Sequence, residues 1–449
     1  MCVGTINGLH TSHTTQTTLN DRDRNAVIKA MGMLRIMDYA ESNKFCSVAV
    51  DETCYRYYLL TSAKGSVIPE QGPLADQILN KLKDQYRIVP DQVCYASVIK
   101  TYKNAALNPL FGESRERNVA RAVELLEELS IAQNRGSERD IRPTTENFND
   151  VLEALSASYR AVSSDIAETL VAVMETSIQE QKESTMSDIL PNAYTYKWLL
   201  SVHTNSKNPD KVELAEQVLQ RMKNNLKTVI QSEKYPEESV VGVYNAFIKV
   251  CASAQRKTEP HDPYRKNEVD SCSPDVLQRA LRAAGELSSL YGLKPSSDTY
   301  ALLLEVCEKH LETGSDRARV VEDIFQGCCE EGLVDEHVLQ TFKKAATEEQ
   351  YSFIVLSKSI NVEGTRMIPE EWTRNVGLAK VITAEGRRAI PLSIDGRYTI
   401  TKAMKEYSMR KLRSKVSQRL LQGGRLKLSK IEIGKPMRIR LHEEFLSSS

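Results

Sequence analysis

Apolar residues along this chain fall at helical spacing in short blocks that recur. Tyr95, Val98, Ile99 and Tyr102 form one block, and Tyr196, Leu199, Leu200 and His203 form another. Residues three and four apart share one face of an α-helix, so each block predicts an amphipathic helix. A common phrase opens the blocks. It reads PDQVCY from Pro90 to Tyr95, PTTENF from Pro143 to Phe148, PNAYTY from Pro191 to Tyr196 and PSSDTY from Pro295 to Tyr300. A looser copy runs from Pro236 to Tyr244, and a proline-free one, AVDETCY, ends at Tyr55. Proline biases the residue before it away from helical backbone, and Asp91, Thr144, Asn192 and Ser296 are types that cap helices, so a new helix is expected just before each aromatic. A second amphipathic stretch then follows: Val119–Leu129, Ala167–Met174, Val212–Met222, Val276–Leu290 and Val320–Cys328.

Each pair of stretches predicts a helical hairpin that buries its apolar face only against its neighbours. Recurrence at a spacing of roughly 40 to 50 residues predicts one extended array, which offers a long surface in place of a single catalytic pocket. The chain, with its opening phrase, its aromatic and its closing proline, resembles the pentatricopeptide repeat proteins over about residues 26 to 350. LKPSSDTYALLLEVCEK (Leu293 to Lys309) and ILPNAYTYKWLLSVH (Ile189 to His203) carry the resemblance best. Family units are about 35 residues long, so the longer spacing here implies insertions, which a solenoid accommodates as loops at little entropic cost. The segments around Asn104 to Arg117 and Lys257 to Ser273 read as such loops. A tetratricopeptide-type peptide-binding array shares the hairpin, with its proline at the end of the second helix.

The resemblance implies an all-α, right-handed α-solenoid of about six helix-turn-helix repeats. It also implies binding of single-stranded RNA, messenger or ribosomal, in a groove lined by the first helices, one base per repeat. In the family, base choice lies with the residue after the aromatic and the last residue of the unit. Here those positions pair Asn149 with Asn192 and Asn245 with Ser296, combinations that in the family favour pyrimidines. Other units depart from the pattern. Ala96 with Thr144 and Ala301 with Asp335 lack the first hydrogen-bonding side chain, while Arg56 with Asp91 and Lys197 with Glu237 carry charges that could pair with each other or touch phosphate. Family members work mostly in mitochondria and plastids, alongside organellar ribosomes or RNA-processing proteins. The opening MCVGTINGLHTSHTTQTTLN is rich in Ser, Thr and His but lacks the Arg of a transit peptide.

Charge adds a second element. The 449 residues hold 60 Lys and Arg against 60 Asp and Glu, so global charge argues for no polyanionic partner. Between Lys402 and Arg440, however, stand Lys402, Lys405, Arg410, Lys411, Arg413, Lys415, Arg419, Arg425, Lys427, Lys430, Lys435, Arg438 and Arg440, against only Glu406 and Glu432. Ile400–Leu421 reads as a basic amphipathic helix, and such cation density without acids points to RNA phosphate, with an anionic membrane surface or a calmodulin-like partner as alternatives. Ahead of it, Asp395-Gly396 is a weak hairpin signal and Pro369–Val376 looks like a helix start, with Trp372 placed to cap the last hairpin. The chain thus divides into a leading segment 1–25, an array 26–350, a mixed capping segment 351–401 and a basic tail 402–449.

Catalysis is not expected. His310-x-Glu312 matches half of a zinc deaminase signature, but its downstream cysteines, Cys328 and Cys329, are adjacent and diverge by about 100° on a helix, where the chemistry needs them two residues apart. Beyond residue 350 Asp395 is the sole aspartate, which leaves no acidic cluster for a metallonuclease, and the Walker phosphate loop is missing. The nine cysteines are scattered and read as small apolar packing residues. No stretch approaches the roughly 18 apolar residues of a membrane span. No cofactor or metal is implied. The competing function is a protein-interaction scaffold, such as a mitochondrial ribosome-associated or assembly factor, whose repeats bind protein while the tail grips RNA.

Overall fold

The computed structural model describes residues 52–64, 71–84, 87, 89–134, 141–180, 189–229, 237–255, 274–362 and 365–376, with isolated helical positions between 26 and 39. Helices pair along the chain as α1 (Glu52–Ser62) and α2 (Gln71–Asp84), α3 (Gln92–Leu107) and α4 (Arg115–Asn134), α5 (Thr145–Leu155) and α6 (Val162–Glu180). They continue as α7 (Ala193–Asn205) and α8 (Lys211–Val229), α9 (Glu237–Ser253) and α10 (Pro274–Tyr291), α11 (Ser297–His310) and α12 (Ser315–Glu331). After these six hairpins come α13 (Glu336–Ala345), the short α14 (Glu348–Tyr351) and one antiparallel hairpin of β1 (Ile360–Val362) with β2 (Thr365–Met367). Among the described residues the architecture is all-α apart from that hairpin.

Packing runs strictly between neighbours. The odd-numbered first helices α1 to α13 lie side by side, each touching the one before and the one after, and each second helix touches its own partner and the next unit's first helix. The helical periodicity explains why: one face of each first helix supplies the aromatic and its followers to the core, as Tyr95, Val98, Ile99 and Tyr102 do, while Ala106 and Ala154 let adjacent first helices approach closely. Gly72 does the same for α2, since a Cβ there would stand 2.7 Å from the Tyr102 ring. The capping residues act as expected. Asp91, Asn192 and Asp335 accept from the backbone N–H of Cys94, Thr195 and Val338 at 2.9, 3.1 and 2.8 Å, and Ser296 accepts from Thr299 at 3.3 Å. Thr144 instead donates its backbone N–H and hydroxyl to Asn147 Oδ1.

Two expectations need correction. The segment from Asn104 to Arg117 is not a loop: α3 continues to Leu107, a 3-10 helix fills Pro109–Ser114, and α4 starts at Arg115. Asn108 makes this continuity possible by capping the 3-10 turn, its side chain accepting from the Leu110 N–H at 3.0 Å, and Phe111 buries into the hairpin. Nor does Pro369–Val376 start a helix, since it holds a single 3-10 turn, Glu370–Thr373. That turn is used as a strap. Gly332 ends α12 in left-handed backbone at φ 68°, Val334 N–H donates to the Trp372 carbonyl, and Asn375 N–H donates to that of Gly332, each at 2.9 Å. Trp372 is thereby laid edge-on against Phe325, with ring centroids 5.7 Å apart. The Lys257 to Ser273 insertion, the Asp395-Gly396 turn and the Ile400–Leu421 helix lie outside the described residues.

Charged side chains stitch successive second helices. Arg121 on α4 grips both oxygens of Asp76 on α2 at 2.8 and 2.9 Å, and Lys83 meets Glu128 at 2.9 Å. Two units on, Glu168 on α6 takes His203 at 2.9 Å and Arg221 at 2.8 Å. Burial works against the Glu168 charge, but His203 and Arg221 outweigh it and hold the carboxyl below its ordinary value of 4.5. A carboxyl lowered by folding contributes stability that is full above its unfolded pKa and is lost as pH falls through its folded one. Wild type is therefore expected to melt above Glu168→Gln at pH 7, with the gap closing below about pH 4.5. Thermal melts across pH check this, and a gap that persisted at acid pH would contradict it.

Candidate nucleic-acid interface

The residue after each core aromatic occupies an equivalent turn of each first helix, beside the cap of the next first helix. Asn149 on α5 donates from Nδ2 to Asn192 Oδ1 at 3.2 Å, and its Oδ1 accepts from the Thr195 hydroxyl at 2.8 Å. Asn245 on α9 repeats the arrangement, donating to Ser296 Oγ at 3.1 Å and accepting from the Thr299 hydroxyl at 2.7 Å. Both asparagines and both caps are partly exposed. The two residue pairs singled out in the sequence are thus brought together across unit junctions, and each is joined by a threonine that sequence reasoning did not select. A threonine three residues after the cap was the available signal.

The remaining positions differ. Arg56 is paired with Asp91 at 2.9 Å. Ala96 is partly buried and offers nothing polar to Thr144, whose hydroxyl serves its own helix. Ala301 is buried, and Asp335 takes the Ser297 hydroxyl in its place. Lys197 lays its stem along Gly242, its Cδ 3.4 Å from where a Cβ would stand, and holds its ammonium 4.5 Å from the Trp198 ring centroid. Burial lowers its pKa. The Glu237 side chain and every cation of the tail, Lys402 to Arg440, lie outside the described residues.

Some cations on the first helices are matched by acids of the neighbouring first helix. Lys100 reaches Glu146 at 3.2 Å, and Lys103 reaches Asp150 at 2.7 Å and Glu153 at 3.0 Å. Lys249 is exposed, with the likewise exposed Asp298 near enough on α11 to feel its charge. The face is mixed in charge, not a continuous basic groove. His310 ends α11 and is buried, its Nε2 3.0 Å from the Cys251 carbonyl oxygen, while Cys328 is buried on α12. Burial raises the thiols of Cys94, Cys251 and Cys307 to about 12, which keeps them protonated and unreactive at neutral pH. No helix among the described residues is long and apolar enough to cross a membrane. Compared with known proteins, the chain matches no family model and no curated sequence.

Proposed function

We propose that this chain is a pentatricopeptide-like RNA-binding protein of mitochondria or plastids, a right-handed superhelical solenoid that holds single-stranded RNA for processing, stability or translation without chemistry of its own. The observation that carries this reading is the rebuilding of one polar cluster, asparagine, cap and threonine, at equivalent places on α5–α7 and α9–α11. Amides partly open to solvent at a fixed repeat position suit base edges, which donate and accept hydrogen bonds. Nonspecific grip then falls to the basic tail.

The test is RNA binding by the full chain, followed by fluorescence anisotropy with mixed-sequence single-stranded RNA across a salt series. Replacing Lys402, Lys405, Arg410 and Lys411 by Gln is expected to flatten the salt dependence by about 0.7 in log–log slope for each phosphate no longer neutralised. Asn149→Ala with Asn245→Ala is expected to leave that slope and weaken selected sequences by about tenfold. Indifference of binding to both sets of changes would defeat the proposal.

The scaffold reading keeps one specific support: Arg56, Lys100 and Lys103 are already paired with acids of the array, and Leu110, Tyr159 and Phe353 stand more than half exposed. It predicts RNA binding that is carried by the tail alone and ignores sequence.

A further inference from the structure

We propose that Thr195 and Thr299 are positioning residues that fix which end of the neighbouring asparagine amide faces a ligand, a proposal that rests on the RNA-binding reading above. Both threonines are fully buried. A buried hydroxyl needs partners, and each finds them in the cap of its own helix and in the preceding unit; Thr195 Oγ1 also lies 3.2 Å from Asn192 Oδ1, and Thr299 Oγ1 3.1 Å from Ser296 Oγ. Thr195 Oγ1 accepts from the Asn192 backbone N–H at 3.0 Å and donates to Asn149 Oδ1 at 2.8 Å. Thr299 Oγ1 accepts from the Ser296 backbone N–H at 3.0 Å and donates to Asn245 Oδ1 at 2.7 Å. The threonine is held by the cap of its own helix, so its O–H points back at the preceding unit's amide.

The amide orientation follows from this. With Oδ1 taken by the hydroxyl, one N–H of Asn149 goes to Asn192 Oδ1 and one N–H of Asn245 goes to Ser296 Oγ. A primary amide carries two N–H groups and its oxygen two lone pairs, so each junction keeps one N–H at the amide's nitrogen end, a donor, and one lone pair on the oxygen that the threonine holds. A base that meets the nitrogen end must turn a carbonyl or ring-nitrogen acceptor toward it. Turning the Asn149 amide over would set its oxygen against Asn192 Oδ1, which the Thr195 backbone N–H already engages, so cap and threonine together hold the donor outward there, while at the Asn245 junction the Ser296 hydroxyl can donate as well as accept and the hold rests on the threonine bond. Among the described junctions, the threonine occurs where the preceding unit carries asparagine. After Arg56, Ala96 and Ala301 the equivalent residues are Cys94, Asn147 and Val338, none of which makes the bond.

The experiment uses the full chain, its Thr195→Val/Thr299→Val and Thr195→Ser/Thr299→Ser variants, and oligouridine, oligocytidine, oligoadenosine and oligoguanosine as probes. Valine keeps the shape and removes the bond, while serine keeps the hydroxyl. The valine variant is expected to lose about fivefold or more of the affinity ratio between the best and worst probes, because a freed amide offers either end, and serine is expected to restore it. A second measurement needs no RNA: thermal melts of Asn149→Ala, Thr195→Val and the pair should show non-additive shifts in Tm. Valine lowering all four affinities equally, or leaving their ratio unchanged, would reduce the threonines to a structural clasp and overturn the inference. Additive Tm shifts would overturn it too. If the wild type binds none of the four probes, the RNA reading itself falls and this inference with it, whatever the melts show. Should the double valine variant unfold, the single variants are judged by the same ratio.

Discussion

Phe325→Ala is expected to cost about 3–5 kcal/mol and to loosen the C-terminal end of the array while leaving the rest folded. Phe325 is buried at the junction of α12, α13 and the strap that follows β2. Its ring stacks on Phe342 with centroids 3.9 Å apart and takes the edge of Trp372 at 5.7 Å, while Phe342 in turn meets Tyr351 at 5.9 Å. Removing the central ring leaves a cavity lined by Phe342 and Trp372, which are themselves held by different elements, so little collapse can refill it. Because each unit touches only its neighbours, the loss should stay local. Hydrogen exchange should show α12, α13 and residues 368–376 losing protection first, with α3 to α7 unchanged. Phe353, 75% exposed, provides the control, and Phe353→Ala should be close to neutral. Uniform deprotection across all units would refute the neighbour-only account.

What the sequence made legible follows from which signals are local. The capping residues Asp91, Asn192 and Ser296, the aromatics behind them and the second-helix stretches depend on backbone preference and on one buried face, both of which a single chain segment encodes. The helix starts were therefore readable, and Trp372 was rightly placed against the last hairpin. The Asn104 to Arg117 segment misled because Asn-Pro signals a break. The break is real but only one residue wide, since Asn108 caps a 3-10 turn that carries the chain from one helix to the next. Pro369–Val376 misled for the opposite reason: proline and two acids favour a helix start, yet the backbone N–H and C=O groups there are claimed by Gly332 and Val334. At the candidate site Asn149 and Asn245 were picked out by the position after the aromatic that the family resemblance implies for base choice. The threonines were passed over, because Thr195 and Thr299 act on asparagines more than 40 residues away in the chain, and a threonine three residues after a cap reads locally as part of its own helix start.

Lys103→Met should be among the most damaging single substitutions, at about 3–5 kcal/mol, although lysines are ordinarily surface residues. Lys103 on α3 and Asp150 on α5 are buried, their side chains 10% and 9% exposed, and they meet at 2.7 Å with Glu153 at 3.0 Å on the same ammonium. Burial works against the lysine's charge, but the two carboxylates outweigh it and raise its pKa, so the ion stays charged inside the junction. Methionine would fill the stem's volume and leave the buried Asp150 carboxyl without its counter-charge, which is the costly half of a broken buried pair. Lys103→Met with Asp150→Leu should recover most of the loss, since Glu153 is exposed enough to turn to water. Urea melts of the two variants decide it. A single-variant cost below about 1 kcal/mol would mean that the pair is solvated and free to meet an outside partner. The expected larger cost would mean that this cation belongs to the framework and is not available to an outside partner.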